Sequence, residues 1–412
     1  MSRVSIDGAR LMARIHSMGE IGALPGGGVC RLALSDEDRQ GRDLLVSWMK
    51  ELGLEISIDV IGNIWGVREG TEDGPPIMIG SHIDTVATGG WYDGAAGVLA
   101  GLEVIEALNE AGVQTRTPLA VAAFTNEEGA RFAPDMMGSG VHQGALDLDE
   151  MLAVVATDGS GVLGEELARI GYAGTLPPRA MTPAAYLELH VEQGPVLERQ
   201  GIRIGAVTGV QGISWTEFTV MGQSNHAGTT PMSMRHDAGI VAARIAVAAR
   251  DIADDLGPPQ VANVGVFDLS PGLVNVVPER ARLTVDLRNT SDELLRQAES
   301  RLMAAAEASA AAEGCTVSSR SLARFAPVVF DEALVTRVER AATERQLSVR
   351  RMPSGAGHDA QMFAPNCPTA MVFVASENGL SHNINEHTEA DDLAAGAQVL
   401  MDVVLDLAGE TA

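Results

Sequence analysis

A chain of 412 residues exceeds one ordinary hydrophobic core, so division into two or three domains with a cleft between them is expected. Hydrophobic residues at 46% and charged residues at 20% exclude a disordered chain, and 55 acidic against 29 basic side chains, a net charge of -26, exclude nucleic acid and anionic membranes as partners. The same charge would repel a small anionic substrate unless a metal ion or an arginine reverses the potential locally.

The opening segment MSRVSIDGARLMARIHSMGE has the spacing of an amphipathic helix and lacks the apolar core and small-residue cleavage site of a secretion signal. A β-α-β succession follows: PIMIGSHIDTV (75–86), GAAGVLAGLEVIEALNEAG (94–112) and PLAVAAFTNEE (118–128). Apolar runs separated by a helix predict a parallel sheet buried on both faces, with polar residues delivered at the carboxyl ends of its strands. A further strand, AAYLELH (184–190), ends in His190 ahead of a Gln-Gly-Pro turn.

From about residue 213 the texture changes to alternating strands, SWTEFTVMG (214–222), ANVGVFDL (262–269) and ARLTVDLR (281–288), interleaved with two long Ala-rich helices. This predicts an α+β insert over 213–327, nearly balanced in charge, within a first domain built from 1–212 and 328–412. The strand TAMVFVAS (369–376) and the amphipathic helix EADDLAAGAQVLMDVVLDLAG (389–409) resume the first fold. The most apolar stretch, Ile240 to Ala249, is interrupted by Arg244 and falls short of the about 20 apolar residues that a membrane span needs. Cys30, Cys315 and Cys367 are widely spaced without a CxxC pair, which indicates neither a disulfide framework nor a thiolate zinc site and predicts a cytoplasmic chain.

Five polar motifs carry the chemistry. Gly80-Ser81-His82-Ile83-Asp84 sets an imidazole at a strand end, with Asp84 two residues on to accept the ring's other N–H. Alone, such a pair is as readily structural. Asp93, in the Gly-rich turn GGWYDGAAG before a helix, reads as a helix cap, as a carboxylate able to bridge two cations, or both. Glu127 and Glu128 are adjacent carboxylates after an apolar run. A solvated turn is one reading; the other is that Glu128 coordinates a cation while Glu127 takes a proton from bound water. His190 and His382 add imidazoles after two further buried strands, with His387 as a competing ligand. Together His82, Asp93, Glu128, His190 and His382 form a cysteine-free donor set suited to zinc, manganese, cobalt or nickel.

The ordered series GSHIDTV, WYDG, FTNEEGARF, LELHVEQGPVLE, SNHAGTTPM, NVVPER, VDLR, SGAGHDA and GLSHN resembles the hydantoinase/carbamoylase amidases, over about residues 20–408. These sit within the wider metallopeptidase family of aminoacylases and carboxypeptidase G. The resemblance implies a di-metal exopeptidase-like α/β/α catalytic domain, with the insert as its lid and dimerisation domain in a homodimer. It implies one metal held by His82, Asp93 and His190, a second by Asp93, Glu128 and His382, and Glu127 as general base and later proton donor. It further implies that His226 steadies the oxyanion, reaching a neighbouring subunit's site, and that Arg288 clamps a substrate carboxylate beside Asn275. Without the likeness, His226 reads as a turn histidine and Arg288 as a surface charge. Gln193 and His358 are expected as further substrate or supporting contacts.

The implied reaction is hydrolysis of a small ureido acid, foremost an N-carbamoyl-L-amino acid. Alternatives are allantoate, ureidoglycolate or 3-ureidopropionate, then an aminoacylase or dipeptidase, and last a binding paralogue without catalysis. Allantoate-cleaving relatives tend to carry glutamine at the position of Ile213, and an apolar side chain there does not satisfy a second ureido arm.

Overall fold

The computed structural model describes residues 4–409. These divide into two compact units, one comprising the residues up to Thr208 and from Val329 onward, the other Gly209–Val328. In chain order the strands are β1 (Glu55–Ile58), β2 (Ile64–Arg68), β3 (Ile77–His82), β4 (Leu119–Phe124), β5 (Ala185–Val191), β6 (Ile204–Val210), β7 (Gly212–Met221) and β8 (Asn225–His226). They continue with β9 (Val261–Ser270), β10 (Val276–Val277), β11 (Arg280–Asn289), β12 (Thr316–Phe325), β13 (Val328–Val329), β14 (Val349–Ser354) and β15 (Thr369–Val374).

The first unit is built on a mixed sheet in the order β1-β2-β4-β3-β5-β15-β6-β13, with β14 paired to β6. Its centre is parallel: β3 lies between β4 and β5, and β5 also pairs with β15. Every residue of β3, β4, β5 and β15 is buried, which is why these strands read as unbroken apolar runs rather than as alternations. The four parallel strands end on one edge, where the sheet delivers His82, the turn after Phe124, and His190. The helix Ala95–Glu110 packs on this centre with thirteen buried residues, an all-round burial that its Ala, Leu and Val content permits. Its first turn approaches β5 so closely that a Cβ on Gly97 would stand 2.3 Å from the Leu189 carbonyl oxygen. Glycine there lets the helix, and the loop that leads into it, sit against the strand end.

The second unit has a four-stranded antiparallel sheet, β12-β7-β11-β9, and a small ribbon of β10 with β8. In β11, RARLTVDLRN, alternate residues are buried, so Ala281, Leu283, Val285 and Leu287 face the helices Ala238–Leu256 and Asp292–Glu313 through Ile245, Leu295 and Leu302. The side chains of Asp237 and Ser291 cap those helices by accepting first-turn amides. No helix among the described residues is long and apolar enough to cross a membrane.

Candidate active site

The strand ends of the first unit converge on Asp93. Its carboxylate Oδ1 lies 3.5 Å from His82 Nε2 and 3.2 Å from His190 Nε2, and its Oδ2 lies 3.6 Å from His382 Nε2. His382 Nε2 is also 3.2 Å from Glu128 Oε2. The donors therefore fall into two triads, His82/Asp93/His190 and Asp93/Glu128/His382, that share Asp93. The loop that presents Asp93 is held by Glu386, whose buried Oε1 accepts from the amides of Tyr92 at 3.0 Å and Asp93 at 3.1 Å. Gln193 Nε2 at 2.8 Å and Ser381 Oγ at 3.0 Å donate to Asp93 Oδ2 and fix its plane. Asp93 does not cap the helix that follows: Gly94, at φ 63°, occupies the cap, and no side chain accepts from the first turn.

The imidazoles are oriented by main-chain carbonyls. His82 Nδ1 faces Asp84 O at 3.0 Å and His190 Nδ1 faces Val191 O at 2.9 Å. A carbonyl only accepts, so each ring carries its proton on Nδ1 and turns the Nε2 lone pair toward Asp93. Gly94 N donates to the His190 lone pair at 3.2 Å, but both lone pairs still face the anionic carboxylate, a repulsion that a cation or further protons between them would relieve. That is the test of fit for a divalent metal, and the described donors meet it with nitrogen and oxygen atoms alone. Without a metal the protons fill the gap. Burial opposes the charged ring at His82, but Glu127, Asp93 and Asp84 outweigh it and raise that ring well above its ordinary range. Contact with Glu128 raises the half-exposed His382 to about 9.

The expectation for Asp84 requires correction. Its carboxylate stands 4.0 Å from His82 Nδ1 and instead accepts from the amides of Glu127 at 3.2 Å and Glu128 at 3.3 Å. Asp84 thus shapes the turn after β4, where Asn126 adopts φ 55° and the two glutamates separate. Glu128 turns to His382, while Glu127 Oε2 lies 3.4 Å from His82 Nε2. Burial, together with Asp359, Glu128 and Asp93, raises the Glu127 carboxyl well above the usual range, against the pull of His82. A carboxyl so placed holds a proton more firmly than an ordinary carboxylate, the direction a group that accepts a proton requires.

A cavity of about 100 Å³ opens over these groups, lined by Asp93, Glu127, Glu128, Asp135, His190, Gln193, Gly357 and His382 among others. His358, expected as a substrate or supporting contact, does not line it. The ring is buried, hydrogen-bonded to Ser354 Oγ at 2.8 Å and packed edge-on against His190 with centroids 4.5 Å apart. His358 therefore supports a ligand candidate from behind. His387 pairs with Tyr92, whose hydroxyl lies 3.3 Å from its Nδ1.

Two residues that carry this site were not singled out from sequence. Glu188 accepts from Ser81 Oγ at 2.8 Å, Tyr186 OH at 3.2 Å and Ala360 N at 2.9 Å, tying β3, β5 and the segment after β14 together. Its signal was an acid inside an otherwise apolar buried strand. Glu386 offered none, since acids before a helix are ordinary.

The remaining expected residues belong to the second unit. His226 and Asn275 are exposed and adjacent, with His226 opposite Val276 in the β8/β10 pair and Ala227 N donating to Asn275 O at 2.9 Å. Arg288 lies on β11 opposite Ile213, and its Nε and Nη2 bind Asp286 at 3.0 to 3.2 Å.

Comparison with known proteins is consistent in kind. The pattern of peptidase family M20/M25/M40 matches residues 78–406. The N-carbamoyl-L-amino acid amidohydrolase of Geobacillus stearothermophilus is 41% identical over 409 residues, covering 98% of this chain and 99% of that protein. Allantoate amidohydrolase of Escherichia coli is 36% identical, covering 95% and 96%. The crystal structure of an amidase of the hydantoinase/carbamoylase family from Burkholderia multivorans superposes with a TM-score of 0.96 at 43% identity, covering 99% of this chain and all of that one.

Proposed function

The chain belongs to peptidase family M20/M25/M40, among its hydantoinase/carbamoylase amidases, and from that premise we propose that it hydrolyses the carbamoyl carbon-nitrogen bond of an N-carbamoyl-L-amino acid. The products are the free amino acid, ammonia and carbon dioxide. One observation carries the reading: two donor triads meet at Asp93 beside Glu127, a carboxylate that belongs to neither, in a chain alike over nearly its whole length to N-carbamoyl-L-amino acid amidohydrolases.

Two divalent cations, of zinc, manganese, cobalt or nickel, would be held by His82, Asp93 and His190 and by Asp93, Glu128 and His382, and would polarise the substrate carbonyl and acidify water. Glu127 takes the proton of the attacking water and returns it to the departing nitrogen. It is suited to this by position, buried 3.4 Å from His82 Nε2 and outside both triads. Gln193 and Ser381 keep Asp93 from rotating as charge shifts. From the insert, His226 donates to the developing oxyanion, within a homodimer to the partner's site. Arg288 binds the substrate carboxylate, oriented by Asp286, and Asn275 bonds the same end. A local guanidinium and two cations answer the repulsion that a net charge of -26 would exert on an anionic substrate.

Allantoate is the second reading, supported by the likeness to allantoate amidohydrolase. Ile213, directly opposite Arg288 in the sheet register, offers no hydrogen bond to a second ureido arm and favours the simpler substrate. The test compares specificity constants on N-carbamoyl-L-amino acids, allantoate, ureidoglycolate and 3-ureidopropionate, with zinc, manganese and cobalt supplied in turn. The highest value is expected on an N-carbamoyl-L-amino acid, with ammonia released. Metal-replete protein inert toward every such compound would overturn the assignment, and release of a carboxylic acid from N-acyl substrates would redirect it to an aminoacylase.

A further inference from the structure

The loop after β8 fixes where the proton of His226 sits. His226 Nδ1 accepts two main-chain hydrogen bonds, from Gly228 N at 3.0 Å and Thr229 N at 3.2 Å. An amide N–H only donates, so both bonds need the Nδ1 lone pair, and a neutral imidazole then keeps its single proton on Nε2. This is the opposite tautomer to that of His82 and His190, whose Nδ1 atoms face carbonyls. The exposed ring accordingly offers an N–H outward.

The loop itself is clamped. Arg235 Nη2 donates to Ala227 O at 2.5 Å and Arg235 Nε donates to Thr230 O at 3.1 Å, so one guanidinium grips both ends of the segment that carries the two amides. Thr230 closes the turn by donating from Oγ1 at 2.7 Å and from N at 3.1 Å to His226 O. A planar fork with donors in fixed directions can hold two carbonyls at set spacing, and a lysine ammonium cannot reproduce it.

We propose that Arg235 is a positioning residue that acts through this loop as a tautomer lock, holding His226 in the Nε2–H form required of a donor to an oxyanion. The opposite tautomer would turn a lone pair toward the developing negative charge and repel it. The inference rests on the reading of His226 given above, whereas the lock itself is a property of the loop and is measurable without substrate.

Nitrogen NMR of the full-length, metal-loaded protein labelled at histidine tests it, with His226 identified by the signal lost in His226→Gln. In the wild type at neutral pH, Nε2 is expected in its protonated form and Nδ1 in its unprotonated form. In Arg235→Ala the two signals are expected to move toward averaged values. Turnover number should then fall by about 10-fold to 100-fold, with KM and bound metal little changed, with partial rescue by added guanidinium ion and none from Arg235→Lys. A wild-type His226 that carries its proton on Nδ1, or averages between tautomers, overturns the proposal even if Arg235→Ala does not fold. So does a fall in turnover with the tautomer unchanged, or unchanged turnover in Arg235→Ala. Failure of the amidohydrolase reading would appear separately, as no turnover on the ureido panel while the lock persists.

Discussion

At the scale of single residues, the division between Glu127 and Glu128 is the sharpest feature. They are neighbours in sequence, yet the hydrogen bonds their amides donate to the Asp84 carboxylate fix a turn that sends them apart, one toward His82 and the other toward His382. Glu127→Gln keeps the shape and all five donor candidates while removing the proton acceptor. Turnover should fall by about three orders of magnitude, with two metal equivalents still bound by elemental analysis; a variant retaining near-normal turnover would remove Glu127 from the mechanism. The histidines and carboxylates were visible in sequence because each stands in a short motif beside a predicted strand end. Asp84 was placed on the wrong partner for a physical reason. Two residues past His82 the chain has left the strand, so the side chain turns to the neighbouring β4 turn while the main-chain carbonyl meets the ring. Glu386 was not legible at all, because the loop it holds is 293 residues away in sequence.

At the scale of elements, the site is a product of parallel strands ending together and of a helix that starts against them. Gly94 is the tightest joint. It adopts φ +63°, and a Cβ there would stand 2.3 Å from His82 Nε2. Gly94→Ala must therefore push the imidazole or the Asp93 turn aside, a strain of about 1 to 3 kcal/mol, which is about 5-fold to 150-fold in affinity. Metal titration should show that loss in the triad of His82, Asp93 and His190, with the fold intact by circular dichroism; unaltered binding of both cations would contradict the close approach. The buried strands β3, β4, β5 and β15 were readable from unbroken apolar runs, and β7, β9 and β11 from alternation. The hairpin of β1 and β2 was not, being short with an outer strand of four residues that is only partly buried. Strand β12, TVSSRSLARF, escaped notice because it is largely exposed and pairs only with β7 within its sheet, so its sequence carries little apolar signal.

At the scale of the whole molecule, the proposed metal site predicts that stability depends on metal and pH together. With cations removed, Asp359 is raised to about 8 and Glu386 to about 7, both by burial first. Glu128 raises His382 to about 9. Each group holds a proton in the folded state that the unfolded chain has released, so stability falls as pH rises from the unfolded pKa to the folded one. Asp93 is lowered well below its usual value by His190 and His82, against its burial, and is ionised in both states throughout this range. His358 is lowered by burial and by His190, and its opposing contribution ends near pH 6.5. Melting temperature of the metal-free protein should therefore decline between pH 6.5 and 9, and added cation should raise it more at pH 9 than at pH 6.5. Equal metal-induced shifts at both values would show that the proton on His382 and a cation do not compete for the same nitrogen.

The distribution of donors along the chain also bears on biosynthesis. One triad is encoded by residue 190, before the insert, whereas the other waits for His382, after it. Since translation runs from the amino end, a chain terminated within the insert carries every candidate donor for one cation and lacks a candidate donor for the second.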